Sequence, residues 1–318
     1  MKQWVANKFG EPAEVLTLRD ANLPSAGPGE AVVRVLTASL ALPDLMMVKG
    51  NYPMVAQPPV VPGQEVVGIV EEAGEGFPHA VGTRVVGGSH FDRGFGGFGE
   101  YSLMPAWSAF EVLDELTDEQ AVGFVGSYHL AHIGLFHRAH LKEGETVLVL
   151  GGAGRTGSAA IQVAKAMGVT VIATARSEES ADFCVQQGAD FVVSRADELP
   201  EGVSIDVIYD TVGATVYKDF AGLFNRGARL LLVGFASGTD TVLDTHDLLM
   251  RDYSAVGVLS TFRTASEQES SLAALSQMLK DGVIDPPVAG VWDFADVPRA
   301  MQVRSAKAHG QSVIRVST

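Results

Sequence analysis

Cysteine is almost absent from this sequence, which has 318 residues and a single thiol, Cys184. One cysteine excludes an internal disulfide, and it excludes the four-thiolate zinc site found in many small structural domains. Hydrophobic residues make up 47% of the chain and the mean hydropathy is +0.18. The chain can therefore bury a large core without covalent or metal cross-links.

Positive charge is also scarce. The chain has 23 Lys and Arg residues against 38 Asp and Glu, which gives a net charge of −15. Nucleic acid and anionic membrane surfaces are poor partners for such a molecule, because like charges repel. A local cluster of hydrogen-bond donors can still hold a small anion such as a dinucleotide phosphate. Charged residues total only 19%, which argues against disorder.

Long apolar runs are missing as well. No window approaches the roughly 20 apolar residues of a membrane span. Residues 1–15 lack the apolar stretch of a secretory signal. We therefore expect a cytoplasmic protein that has no membrane or nucleic-acid partner.

The pattern of apolar residues changes near residue 120 and again near residue 290. Before the first change, short apolar runs such as residues 31–36, 66–70 and 84–86 are separated by Gly and Pro, which predicts a β-rich, barrel-like domain. Residues 87–99 are rich in glycine and predict a flexible loop. Because 318 residues is long for one core, we predict two domains. One contains residues 1–120 and 290–318, and the other contains residues 121–289.

Residues 121–289 alternate apolar strands with amphipathic helices. This pattern specifies an α/β fold in which helices cover both faces of a doubly wound parallel sheet. The predicted strands are residues 146–150, 169–173, 191–193, 207–209, 230–233 and 254–258. The predicted helices are residues 130–141, 156–167, 178–187, 216–224 and 267–280.

A glycine-rich turn, GGAGRTG at residues 151–157, joins the first of these strands to a helix. Gly152, Gly154 and Gly157 have the spacing G-x-G-x-x-G, with Arg155 and Thr156 between the last two glycines. Glycine permits a positive φ and a close approach of the backbone to a pyrophosphate, and the helix N-terminus offers free N–H groups. The strand–turn–helix context makes this motif a specific indication of dinucleotide binding.

The end of the second strand indicates which dinucleotide is bound. An acidic residue at this point would bind the ribose 2′-hydroxyl of NAD, but the chain reads ATARS at residues 173–177. Arg176 can pair with a 2′-phosphate and Ser177 can donate to it. Arg195 follows the third strand and is a further candidate. The alternative for each arginine is a solvated side chain, and this alternative weighs more for Arg195 than for Arg176. We expect the cofactor to be NADPH.

Five segments together resemble the medium-chain dehydrogenase/reductase superfamily, and in particular its zinc-independent quinone oxidoreductase branch. They are PGQEVVGIV at 62–70, GFGEY at 97–101, the 151–157 loop with QVAK at 162–165, DVIYDTVG at 206–213, and residues 229–234. The resemblance covers the whole chain. It implies a GroES-like catalytic domain split around a Rossmann domain, a cofactor cleft between them, and a homodimer.

The resemblance also implies an activity, the reduction of quinones or of the double bond of α,β-unsaturated carbonyls. By position, the residues implied to line the nicotinamide end of the cofactor are Thr211, Val212, Gly213, Gly234 and Phe235. Gln311 is implied to lie near them.

The sequence departs from the family pattern at three positions. Gln64 stands where zinc-binding members have a histidine, and no cysteine is present near residues 41–44. Ala41 replaces an asparagine common in the quinone branch, and Leu130 replaces a threonine. We therefore expect no metal site and an altered substrate pocket. Four histidines, at 129, 132, 137 and 140, spread over about 140° of a helix, which is too wide for one tetrahedral metal site.

Four side chains are candidates for the catalytic site. Tyr52 is the best donor to a substrate oxygen by position, and Gln64 can offer an amide N–H; each can instead have a packing role. Tyr128 and His129 are further candidates, because they directly precede Leu130, the position of the missing threonine.

Two other functions stay open. A non-catalytic NADPH-binding redox sensor is supported only by the losses at Ala41 and Leu130. An enoyl-thioester reductase would need basic residues for carrier or coenzyme A phosphates, and the small number of Lys and Arg residues disfavours it.

Overall fold

The computed structural model describes residues 1–52, 54–55, 57–259, 263–307 and 309–317, without the side chains of residues 304–307. The chain forms two compact units. Unit 1 contains Met1–Val125 and Pro286–Thr318, and unit 2 contains Gly126–Asp285. The two points at which the chain passes from one unit to the other lie a few residues from the changes in the apolar pattern near residues 120 and 290.

The strands of the described residues are, in chain order, β1 Lys2–Ala6, β2 Leu16–Asp20, β3 Glu30–Leu40, β4 Glu65–Ala73, β5 Arg84–Gly88, β6 Tyr101–Pro105, β7 Phe110–Glu111, β8 Thr146–Leu150, β9 Thr170–Thr174, β10 Phe191–Val193, β11 Ile205–Asp210, β12 Phe224–Leu232, β13 Ser254–Gly257, β14 Val288–Asp293 and β15 Gln311–Arg315. The α-helices are α1 Pro12–Val15, α2 Leu42–Lys49, α3 Asp118–Ala121, α4 Leu130–His132, α5 Arg155–Ala166, α6 Glu178–Gln186, α7 Thr245–Arg251, α8 Ala265–Lys280 and α9 Val297–Lys307.

Unit 1 is built around the long strand β3, whose valines and alanines are buried in the core of this unit. Branched residues favour the pleated backbone of such a strand. β3 pairs antiparallel with β4, β6 and β15, and the sheet order is β14-β15-β3-β4-β5-β7. The C-terminal strand β15 therefore belongs to the sheet formed by the first part of the chain.

Unit 2 contains a six-stranded sheet of order β10-β9-β8-β11-β12-β13, in which every pairing is parallel. Four of the five residues of β8 are fully buried, as expected for a strand covered on both faces. The two strands that follow β8 in the chain, β9 and β10, lie on one side of it in the sheet, and the later strands β11, β12 and β13 lie on its other side. This order is the Rossmann arrangement. The predicted fold class is confirmed.

Three local predictions are wrong in detail. The helix expected at 130–141 starts at Val125 and consists of π-helical turns, Val125–His129 and Ile133–Arg138, around α4. Its wide turns come from bonds such as Ala139 N–H to the carbonyl of Gly134. The helix expected at 216–224 is a 3₁₀ helix, Val216–Leu223. The glycine-rich stretch at 87–99 is a packed turn, because it carries Phe98 into the core.

Among the described residues, no helix is long and apolar enough to cross a lipid bilayer.

Candidate functional site

The three glycines of the 151–157 loop have different structural roles. A Cβ on Gly157 would lie 2.2 Å from the carbonyl oxygen of Gly151, and a Cβ on Gly152 would lie 2.9 Å from the Cys184 sulfur. Both glycines are therefore required by packing inside unit 2. A Cβ on Gly154 would meet only the Gly151 oxygen, at 3.5 Å. The loop is thus open beside Gly154, on the side from which a ligand can approach.

Helix α5 begins at this opening. Gly154 is its N-cap, and Arg155 and Thr156 are its first two residues. The first N–H groups of a helix have no partner within the helix, and the helix dipole is positive at this end. The residue of the turn with a positive φ, +74°, is Gly151, which precedes the three glycines of the G-x-G-x-x-G motif. The donors, the dipole and the open space together fit the pyrophosphate of a dinucleotide.

The end of β9 is tied to the same loop. The N–H groups of Gly151 and Gly152 donate to the hydroxyl and the carbonyl of Thr174, at 2.9 and 3.1 Å. Two residues further on, Arg176 is exposed and forms no ion pair with any described residue. Its guanidinium is available to a 2′-phosphate.

The two other predicted phosphate contacts are already engaged. The Ser177 hydroxyl caps α6 by accepting from the Ser180 N–H at 3.2 Å. Arg195 donates to both carboxylate oxygens of Asp197, at 3.0 and 2.5 Å. Arg195 is thus held by a carboxylate two residues further along the same turn. The pattern of apolar strands does not indicate this ion pair, because it depends on the local geometry of the turn.

The predicted nicotinamide-end residues follow β11 and β12. The Thr211 hydroxyl donates to the carbonyl of Leu150, the last residue of β8, at 2.8 Å. The N–H groups of Ala236 and Ser237 donate to the carbonyls of Thr211 and Val212. Because the strands are parallel, their carboxyl ends share one edge of the sheet. The predicted cofactor residues of unit 2 all follow the carboxyl ends of strands β8 to β12 and so lie along that edge, namely Gly152, Gly154, Arg155, Thr156, Gly157, Arg176, Ser177, Arg195, Thr211, Val212, Gly213, Gly234 and Phe235.

Gln311 is the predicted cofactor residue that belongs to unit 1. It opens β15, is buried, and donates through its amide to the Ser39 hydroxyl at 3.1 Å.

Unit 1 places two of the catalytic candidates in direct contact. The amide of Gln64 donates to the Tyr52 hydroxyl oxygen at 2.6 Å. The Tyr52 hydroxyl lies 3.7 Å from the sulfur of Met54, a weak acceptor. Burial raises the pKa of Tyr52, with a nearby carboxylate adding to the effect. The phenol therefore stays protonated at neutral pH, and its proton can be donated to a stronger acceptor.

Asp44 holds this pair in place, a role that the sequence interpretation missed. Its buried carboxylate accepts from the N–H groups of Ala41, Gly63 and Gln64 at 2.7, 2.9 and 3.0 Å. Helix α2 starts at Leu42, and Asp44 caps it from within the first turn. An acid at the third helical position is the signal that could have indicated this.

Tyr128 and His129 are buried within the fold. The Tyr128 hydroxyl donates to the side-chain oxygen of Gln162 at 3.0 Å, and burial raises the Tyr128 pKa well above its usual value. Burial lowers the pKa of His129 to about 4, so this ring is neutral at pH 7.

In the described part of the chain, no three His, Cys, Asp or Glu side chains come together as a metal site would require. Gln64, at the position of the family's zinc-ligating histidine, is bonded to Tyr52 instead.

Comparison with known proteins defines the class. The family "Alcohol dehydrogenase GroES-like domain" matches residues 27–114, and "Zinc-binding dehydrogenase" matches residues 156–277. The acryloyl-coenzyme A reductase of Metallosphaera sedula is 31% identical over 96% of this chain and 97% of its own. The quinone oxidoreductase of Pongo abelii is 28% identical over 96% and 95%. A mycobacterial protein solved in complex with NADPH is 29% identical, with a TM-score of 0.89 over 99% and 100% of the two chains.

The chain belongs to the medium-chain dehydrogenase/reductase superfamily, within its quinone oxidoreductase-like branch. The family resemblance predicted from the sequence is confirmed.

Proposed function

We propose that this protein is an NADPH-dependent oxidoreductase that reduces a quinone, or the double bond of an α,β-unsaturated carbonyl compound, without zinc. The observation that carries the proposal is the open, donor-rich edge of unit 2 with the unpaired Arg176 beside it. The NADPH complex of the mycobacterial relative supports the choice of cofactor. NADPH, when bound, supplies a hydride from its nicotinamide ring.

The residues of unit 2 divide the task of holding the cofactor. Gly154, Arg155 and Thr156, at the start of α5, bind the pyrophosphate. Arg176 pairs with the 2′-phosphate, since it is exposed and forms no ion pair with any described residue, whereas Arg195 is paired with Asp197. The loops after β11 and β12 line the nicotinamide end, as the family resemblance implies.

Tyr52 and Gln64 serve the substrate oxygen. Hydride addition to the β-carbon of an enone, or to a quinone, leaves negative charge on that oxygen. The Tyr52 hydroxyl donates a hydrogen bond to it, and Gln64 orients the phenol by donating to its oxygen. A proton from solvent then completes the reduction. A donor aimed at developing charge stabilises the transition state more than the ground state.

The test is Tyr52→Phe, which keeps the ring and removes the hydroxyl. Loss of one oxyanion donor costs about 2.7–4 kcal/mol, but the released Gln64 amide can partly replace it, so we expect kcat to fall about 10- to 100-fold. NADPH affinity should not change. Gln64→Leu should reduce kcat less, and the double variant should lose less than the product of the two single effects.

The result that contradicts this role is an unchanged kcat in Tyr52→Phe together with a lower kcat in Tyr52→Ala. Tyr52 would then be a wall of the pocket. If the unaltered protein reduces no quinone, enone or enoyl thioester, it is an NADPH-binding sensor instead.

A second candidate reaction is the reduction of an enoyl thioester, which the similarity to an acryloyl-coenzyme A reductase favours. Steady-state kinetics with acryloyl-coenzyme A, with a simple alkyl thioester of acrylate and with a quinone panel separates the two functions. A kcat/KM for acryloyl-coenzyme A far above that for the simple thioester indicates recognition of the coenzyme A moiety.

We further propose that the protein is a cytoplasmic homodimer. Strand β13 lies at one of the two edges of the unit 2 sheet. Exposed apolar side chains flank it in the chain, with Leu249, Met250 and Leu259 exposed by 74%, 68% and 52%. Free strand edges beside apolar surface favour pairing with another chain. Sedimentation equilibrium should give twice the chain mass of 33.5 kDa, and Leu249→Glu with Met250→Lys should give the monomer mass.

A further inference from the structure

Asp210 is a buried carboxylate to which the proposed mechanism gives no role. It is the last residue of β11, at the edge of the sheet where the cofactor residues meet, and its side chain is fully buried. One carboxylate oxygen accepts from the N–H groups of Val212 and Gly213, at 2.8 and 3.0 Å. The other oxygen accepts from the Thr241 hydroxyl at 3.3 Å.

The charge of this carboxylate is not neutralised. All three of these groups donate to it, which is the pattern of an ionised carboxylate, and no described Lys, Arg or His forms an ion pair with it. Burial raises the pKa of Asp210, while the three donors oppose the rise. A buried charge without a counter-ion is costly in a fold, so its position at this edge calls for a functional explanation.

The loops around Asp210 are the ones assigned to the nicotinamide end. Its backbone carbonyl accepts from the N–H groups of Val233 and Gly234, at 3.0 and 3.2 Å. Gly213 has a φ of +79°, and a Cβ there would lie 2.5 Å from the Thr239 carbonyl oxygen. The 211–213 and 234–239 segments are therefore packed directly on each other, with the carboxylate beneath them.

We propose that Asp210 is an electrostatic positioning residue that makes the site bind NADP⁺ more tightly, relative to NADPH, than it otherwise would. The inference rests on the proposed function. The nicotinamide ring is neutral in NADPH and positively charged in NADP⁺, so a nearby fixed negative charge discriminates between the two. In a site of low effective dielectric such a charge acts over several ångströms. By favouring the oxidised cofactor, Asp210 favours departure of the hydride.

Asp210→Asn tests the charge with little change in shape. The amide oxygen can still accept from Val212 and Gly213, and the amide nitrogen can donate to Thr241. The matched control is Asp206→Asn on the same strand. Asp206 accepts from the Thr146 N–H and from Asn225, and it lies four residues away, about 13 Å along the strand, toward the opposite edge of the sheet.

The dissociation constants of NADPH and NADP⁺ are measured for each variant by calorimetric titration. We expect the ratio of the NADP⁺ constant to the NADPH constant to rise about tenfold in Asp210→Asn, a factor that corresponds to about 1.4 kcal/mol. The ratio should not change in Asp206→Asn. Thr241→Lys leaves Asp210 in place and brings a positive charge to its carboxylate, so it should raise the ratio of the two dissociation constants in the same way. This variant replaces Asp210→Asn in the test if Asp210→Asn does not fold.

A folded Asp210→Asn or Thr241→Lys variant with an unchanged ratio overturns the proposal, as does an equal rise in Asp206→Asn. These outcomes leave the proposed function intact, provided that the unaltered protein binds NADPH. If the unaltered protein binds neither cofactor, the proposed function itself is wrong.

Discussion

Two glycines three residues apart in the 151–157 loop should respond in opposite ways to the same substitution. Gly157→Ala places a methyl group 2.2 Å from the Gly151 carbonyl oxygen and 2.9 Å from the Gly152 Cα. Backbone atoms cannot rotate away, so the loop must shift. Gly154→Ala places its methyl group 3.5 Å from the nearest protein atom, the Gly151 oxygen, and its φ of −76° and ψ of 163° suit alanine.

The expected magnitudes follow from these contacts. Overpacking costs up to about 3 kcal/mol, and alanine gains about 1 kcal/mol over glycine inside a helix. Gly157→Ala should therefore lower the free energy of unfolding by about 2 kcal/mol. In Gly154→Ala the loss of a better N-cap residue and the reduced entropy of the unfolded chain nearly cancel, so stability should change by less than about 1 kcal/mol.

Cofactor binding should show the reverse order. The methyl group of Gly154→Ala occupies the open space through which the pyrophosphate approaches the N–H groups. Loss of a charged hydrogen bond costs about 1.5–3 kcal/mol, so NADPH affinity should fall roughly 10- to 150-fold. Urea unfolding and fluorescence titration with NADPH measure the two quantities on the same samples. A Gly154→Ala variant that binds NADPH as tightly as the unaltered protein would refute the assignment of the phosphate site.

Three further predictions concern the cofactor, the fold and the metal. Arg176→Ala should weaken the binding of NADPH roughly 10- to 150-fold and leave the binding of NADH nearly unchanged. The control is Arg195→Ala: because the Arg195 guanidinium is already paired with Asp197, its removal should change the affinity for either cofactor less than threefold, about 0.7 kcal/mol. An equal loss of affinity for both cofactors in Arg176→Ala would contradict the prediction. Gln162→Leu should lower the free energy of unfolding, measured in urea, by about 3 kcal/mol, because it leaves the Tyr128 hydroxyl and the backbone of Asp285 without their buried partner. The control is Gln277→Ala at an exposed position, which should lower the free energy of unfolding by less than about 0.5 kcal/mol. Elemental analysis of dialysed protein should find no stoichiometric zinc, and activity should survive a chelator; one zinc per chain, lost together with activity, would disprove the zinc-independent mechanism.

The architecture of unit 2 could be predicted from the sequence because its signals are local. A buried parallel strand appears as a short apolar run, and a helix that covers it appears as an amphipathic period, so each element is specified within about ten residues. Predicted β8 and β10 coincide with the observed strands. The strand, the glycine turn and the helix at residues 146–166 were predictable for the same reason, since they are continuous in the chain. Arg176 was singled out because it closely follows the end of a strand.

The contacts that define the candidate catalytic pair were decided by the tertiary structure. Gln64 meets Tyr52 across 12 residues, and Asp44 holds Gln64 across 20. Tyr128 donates to Gln162 across 34 residues, a contact that its position in the sequence did not indicate. No periodicity links such residues, because their distance depends on how whole strands and helices pack.

The charge environment was decided in the same way. Arg176 and Arg195 have the same relation to their strands in the sequence, yet one is unpaired and the other is bound to Asp197. Asp210 reads as the polar end of an apolar strand, and only the folded loops of residues 211–213 and 241 bury it among donors. The sequence by itself determined which elements form and where the glycine-rich loop proposed for the dinucleotide phosphates lies, since both depend on neighbours in the chain. The tertiary structure decided which polar groups remain free to act, because burial and hydrogen bonding depend on neighbours in space.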